Sequence, residues 1–264
     1  MNFSLFKATF RANWVIAIIF FAIMFMYLSI ILTMFDPDSM DSLNQMLETL
    51  PSELISAMGF DALITDLTSF LAGYYYGFLV IMFPMIYCII TANRLVAKHV
   101  DSGSMAYLLS TPHSRLTIVS TQASYLMASL ADLLILIGLA ALALSAAMYP
   151  GQLSIGPFLL LNLMAILLML AISGICFFFS CIFDDTKYSL ALGAGIPVLF
   201  FLIDMLAKVG GSTWLKNLTL FTLYNPAKIV AGDFSWISAL VFLAVAIATY
   251  LGGILLFNRR SLPL

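Results

Sequence analysis

The chain has 264 residues, 63% of them hydrophobic and 9% charged, with a mean hydropathy of +1.08. A water-soluble domain of this length could not cover itself with so little polar surface, so the composition excludes one and defines a polytopic membrane protein. The net charge of −2 comes with no basic patch, which gives no reason to expect nucleic acid as a partner.

In chain order, the first element is the stretch 1–12. Phe3, Phe6, Phe10 and Trp14 recur every three or four residues, with Lys7 and Arg11 between them. That pattern predicts a basic amphipathic helix suited to the headgroup layer of the bilayer. The first apolar run, 13–35, is long enough to span and lacks a small-residue cleavage site after it, so no cleavable signal is expected. The loop 36–66 holds seven acidic residues and no basic one. Within it, Met40, Leu43, Met46, Leu47 and Leu50 form an apolar stripe, and Ser52 to Met58 predicts a short helix stopped by Gly59.

Five more runs, near 67–92, 122–148, 157–182, 188–207 and 234–257, each match the roughly 20 helical residues that cross about 30 Å of hydrocarbon. Pro150-Gly151 marks the turn between the third and fourth. Only Asp184-Asp185-Thr186-Lys187 divides the fourth from the fifth, and a five-span reading with one broken segment stays open there. Six spans put both termini on one side, together with Lys7, Arg11, Arg94, Lys98, Arg115, Lys187, Arg259 and Arg260. Lys208, Lys216 and Lys228 fall on the other side. Eight against three predicts that both termini are cytoplasmic.

The loop 93–121 contains Asp101-Ser-Gly-Ser-Met-Ala-Tyr-Leu-Leu-Ser-Thr-Pro-His-Ser-Arg115. Ser102 or Ser104 is a candidate cap, and Met105, Leu108 and Leu109 share one face of a short helix. Pro112 has no amide hydrogen and ends the element near Thr111. This loop is the largest cytoplasmic piece and is far too small for a nucleotide-binding domain.

Candidates for chemistry are few. No G-x-x-x-x-G-K-[S/T] phosphate loop occurs. His99 and His113 both lie outside the spans, which leaves no histidine at depth for a metal or a Ser–His pair. Cys88, Cys176 and Cys181 lie in apolar runs and read as packing residues. Asp184-Asp185 beside Lys187 reads as a solvated, charge-balanced turn, and Asp204 as an interfacial residue. Asp132 differs, because it falls near the middle of the third span. Burying a carboxylate there costs about 2.5–3.5 kcal/mol on insertion scales, so it should face protein or water. Tyr125, Ser129 and Asp132 make one polar stripe, either along a transport path or at a helix-registry contact. Ser173-Gly174 and Gly193-Ala-Gly195 allow close helix approach, while Pro84 and Pro197 should kink their helices.

The run from Asp101 to Arg115 resembles the first cytoplasmic loop of type 2 ABC exporter permeases, in which an acidic residue, Gly, Ser, an apolar stretch, a small-Pro step and Ser-Arg follow in order. Asp101 stands where that family more often has Glu. The six-span layout, the amphipathic start, Leu223-Tyr-Asn-Pro226 and the ending Phe257-Asn-Arg-Arg-Ser-Leu-Pro-Leu264 are similar to the same family. The resemblance implies an all-α membrane domain, 1–264, whose helix at 101–112 is a coupling helix docking on a separate ATPase subunit. Asp101, Ser104, Met105, Leu108, Leu109, Pro112 and Arg115 would form that contact. It further implies a plasma-membrane exporter that works with a second permease, a copy or a sister chain. This chain would bind no cofactor, and ATP with magnesium would sit on the partner. A stand-alone secondary transporter or channel is the alternative. It would favour more intramembrane charge, or a paired-repeat layout.

Overall fold

The computed structural model describes residues 2–37, 49, 66–110, 113–210, 213–216 and 218–260. The apolar stripe of the loop 36–66, its expected short helix, and Thr111-Pro112 lie outside the described residues. Among those described there is no strand, and six helices are long and apolar enough to cross a membrane.

The first span is one helix, Phe3–Met34. At 1.5 Å per residue its 32 residues extend about 48 Å, well beyond the hydrocarbon thickness. No Pro or Gly interrupts it, so the boundary expected near residue 12 is not a helix boundary. The second span begins at Leu67, passes through a π-helical turn at Ala72–Tyr76, and resumes as Leu79–Leu95. Short helices follow at Ala97–Asp101 and Met105–Leu109. The third span is Arg115–Met148, capped by Ser114, which accepts from the Thr117 amide. It starts seven residues before the predicted 122, because the polar turns Arg115 to Thr121 extend the same helix out of the apolar zone. The fourth span is Ile155–Ile182, the fifth Thr186–Gly210 and the sixth Trp236–Arg259. The helix stops at Phe183 and restarts after Asp185, which decides for six spans over five.

The fourth span sits at the centre, packed against the second, third, fifth and sixth, while the first lies mainly along the third. The sixth approaches most extensively, and small residues explain it. A Cβ on Gly174 would lie 2.2 Å from Thr249 Oγ1, and one on Gly253 would lie 3.3 Å from Phe178 Cα. Ser173 and Tyr250 share a hydrogen bond of 2.8 Å in the same interface. Gly138 leaves room for Asn162, whose Nδ2 donates to the Tyr76 hydroxyl at 2.8 Å and so fixes the π-helical turn against the fourth span. At Gly193 a Cβ would meet its nearest neighbour, the Cys176 carbonyl oxygen, at an ordinary 3.5 Å; the Gly193 carbonyl, deprived of a helical donor by Pro197, accepts from Cys176 Sγ at 3.1 Å. Gly195 has nothing near its missing Cβ. All three cysteines are free and buried.

One end of the bundle gathers the eight basic residues named above, and is called the basic end below. There the Asn2 amide donates to Thr121 Oγ1 at 2.9 Å, and Arg115 Nη1 donates to the Arg260 carbonyl at 3.1 Å. Arg260 also pairs with Asp184. At the opposite end the Tyr149 hydroxyl donates to the Phe35 carbonyl at 2.6 Å. Lys208, one of the three lysines there, pairs with buried Asp204 at 3.0 Å, and Thr222 donates to the same carboxylate at 3.1 Å. Asp204 therefore anchors the segment before the last span to the fifth helix.

Candidate functional site

Two sites follow from these elements, and the first is the turn between the second and third spans. The second span breaks at Val96, whose φ of −129° and ψ of −68° are not helical. The break deprives the Ala92 carbonyl and the Ala97 amide of helical partners. Ser180, from the fourth span, supplies both: its hydroxyl donates to the Ala92 carbonyl at 2.8 Å and accepts from the Ala97 amide at 3.0 Å. All three residues are fully buried. The turn is thus pinned to the centre of the bundle.

Beyond that pin, Gly103 adopts φ +69°, a left-handed conformation that favours glycine, and reverses the chain between the two short helices. Ser104 stands at the N-cap position of Met105–Leu109 but makes no cap bond. Its hydroxyl bonds instead to His99 Nδ1 at 2.9 Å and Ser102 Oγ at 2.8 Å, tying the two short helices together.

The helix Met105–Leu109 turns its apolar face inward. Met105 is 1% exposed and belongs to the core, and Leu108 and Leu109 pack half-buried against it. Met105 is therefore not on a free docking face as expected; the i, i+3, i+4 spacing identifies the face but not what covers it. Tyr107, 80% exposed, dominates the outward face with Ala106 and Ser110, and Asp101 and Ser102 are exposed beside it. Arg115 is half-buried and committed to the Arg260 carbonyl. Burial pushes the Arg260 guanidinium pKa down, and Asp184 beside it balances the charge. Pro112 lies outside the described residues.

The second site is a groove of about 380 Å³ between the first and third spans. The polar stripe Tyr125, Ser129 and Asp132 forms one wall, as its spacing predicted, and Phe10, Trp14 and Phe21 form the other. Asp132, at the middle of a 34-residue helix, is exposed in the single chain and makes no hydrogen bond or ion pair among the described residues. Tyr125 is buried with its ring 5.7 Å from Phe6, and Ser129 donates to the Leu126 carbonyl at 3.2 Å. Along this wall Tyr125 lines the buried part of the groove and Asp132 its exposed part. Sequence reasoning missed the aromatic wall as part of this site, although the Phe10–Trp14 spacing was visible. It also missed Tyr107, which stands off the apolar stripe, and Ser180, which carries no local signal at all. Among the described residues no group of His, Cys, Asp or Glu is placed to hold a metal ion.

A bundle of six apolar helices, joined at its basic end by a pinned turn with an exposed face, defines a multi-pass membrane protein built around a transmembrane helical core. The family model described as ABC-2 family transporter protein matches residues 6–262, and the chain belongs to that family. It is a family of transporter permeases, the transmembrane components. Neither the curated proteins nor the solved structures contain a significant match to the chain.

Proposed function

We propose that the chain is the permease subunit of an ATP-driven exporter, coupled through the turn 101–112 to a separate ATPase subunit. The observation that carries this reading is the exposed face of Asp101, Tyr107 and Ser110, held rigidly by Ser180 and Met105, in a permease-family chain without a phosphate loop of its own. A rigid mount lets a push on the exposed face reach the second and fourth spans together. Ser104, Leu108 and Leu109 shape that face from behind, Met105 anchors it, and Arg115 fixes the entry to the third span.

Two permeases working together, as copies or as sisters, would enclose the substrate path, with the Asp132 groove opening onto it. ATP and magnesium would reside on the partner, and the permease itself would do no chemistry. The concentration of basic residues at the end bearing the turn supports a cytoplasmic placement of both termini in the plasma membrane.

Affinity capture of the tagged chain in mild detergent, with mass spectrometry of what comes with it, tests the reading. A stoichiometric subunit containing a phosphate loop is expected. A chain that emerges alone, yet moves solute in vesicles without ATP, would overturn it in favour of a secondary transporter or channel.

A further inference from the structure

We infer that the groove between the first and third spans binds a lipophilic cation, with Asp132 as its counter-charge and the Phe10–Trp14–Phe21 wall as its apolar and π-electron partner. The inference rests on the permease reading above and names the substrate class for it.

Three observations converge on this ligand. Asp132 is exposed on the flank of the bundle at the level of the spans, and nothing among the described residues neutralises it. A carboxylate in that position calls for a cation or a proton. The surrounding wall is aromatic: Phe10 and Trp14 are each about half exposed across the groove from the carboxylate. Aromatic faces attract cations through the ring quadrupole, most strongly when water is excluded. Finally, no Lys, Arg or His lines the groove; Arg11 and Lys7 border a separate surface of the first helix with Ser4 and Ala8. The groove therefore offers nothing to an anion. A volume of about 380 Å³ suits a molecule of drug size. The groove is open on the outside of the single chain, the side on which a second permease would enclose the substrate path.

Tetraphenylphosphonium is a suitable probe, and tetraphenylborate is a nearly isosteric anion for comparison. Trp14 reports on the site directly in a chain whose other tryptophans are replaced (Trp214→Phe, Trp236→Phe), reconstituted in nanodiscs. Saturable quenching of Trp14 by the cation and not by the anion is expected. Asp132→Asn should weaken binding at least tenfold, and Asp132→Glu, which keeps the charge, should retain most of it. Monodisperse elution of both variants guards against misfolding.

Equal binding by wild type and Asp132→Asn, or equal binding of cation and anion, would overturn the inference. So would efficient disulfide formation between copies carrying Trp14→Cys together with no cation binding, since a second copy would then fill the groove. If an ATPase co-purifies while the cation fails to bind, the permease reading stands and this inference alone falls.

Discussion

Replacing Ser180 by alanine removes one hydroxyl and leaves two backbone groups without partners. The Ala92 carbonyl and Ala97 amide lie at the Val96 break, where the helix offers no substitute, and both residues are inaccessible to solvent. An unsatisfied buried polar group costs about 1–3 kcal/mol, so the pair predicts a loss of roughly 2–4 kcal/mol after local relaxation. In hydrocarbon surroundings the figure sits at the upper end, because water is not at hand to replace the lost bonds. Reversible unfolding in mixed detergent–SDS micelles, followed by circular dichroism, measures this difference. Ser180→Cys, of similar size with a weaker donor, should fall between the two. Ser180 also holds the turn proposed to couple to an ATPase, and under that proposal Ser180→Ala should impair transport more than its stability loss accounts for at low temperature. A Ser180→Ala protein within about 0.5 kcal/mol of wild type would refute the argument, because a broken helix must then satisfy its own backbone in some other way.

Two further outcomes test the packing around the fourth span. Gly174→Ala places a methyl group 2.2 Å from Thr249 Oγ1 and should destabilise by about 1–3 kcal/mol. Adding Thr249→Ala should recover most of that loss in the same unfolding assay, and a double variant no better than Gly174→Ala would contradict the close approach. Cys176→Ala withdraws the donor that serves the carbonyl freed by Pro197, at a cost of about 1 kcal/mol. Cys176→Ser, a stronger donor, should be at least as stable as wild type; equal stability of all three would show that the carbonyl needs no partner.

The number of spans was legible because each apolar run approaches the length the bilayer demands, and a break as short as Asp184-Asp185 sufficed to divide two of them. The gathering of basic residues at one end was legible for the same reason: charge is costly at depth and collects at the ends of helices. Helix extent was not, since a polar turn such as Arg115 to Thr121 continues a helix as readily as it starts a loop. The short helix after Gly103 was visible in its spacing, but the spacing could not reveal that its apolar face packs on its own bundle. Asp132 drew notice as a charge near the middle of an apolar span, whereas its aromatic neighbours across the groove came from the parallel packing of the first and third spans. Ser180 was invisible, because its role exists only once two helices 83 residues apart in sequence meet.

The central claim is that the exposed face of the turn after the second span meets a separate ATPase. A photo-cross-linking amino acid placed at Tyr107 addresses it directly, with the same group at Leu136 in the groove as the comparison. The account predicts a cross-link from position 107 to a phosphate-loop protein, strengthened or weakened by ATP, and none to that protein from position 136. Absence of any such cross-link from position 107, in membranes where the chain is active, would contradict it.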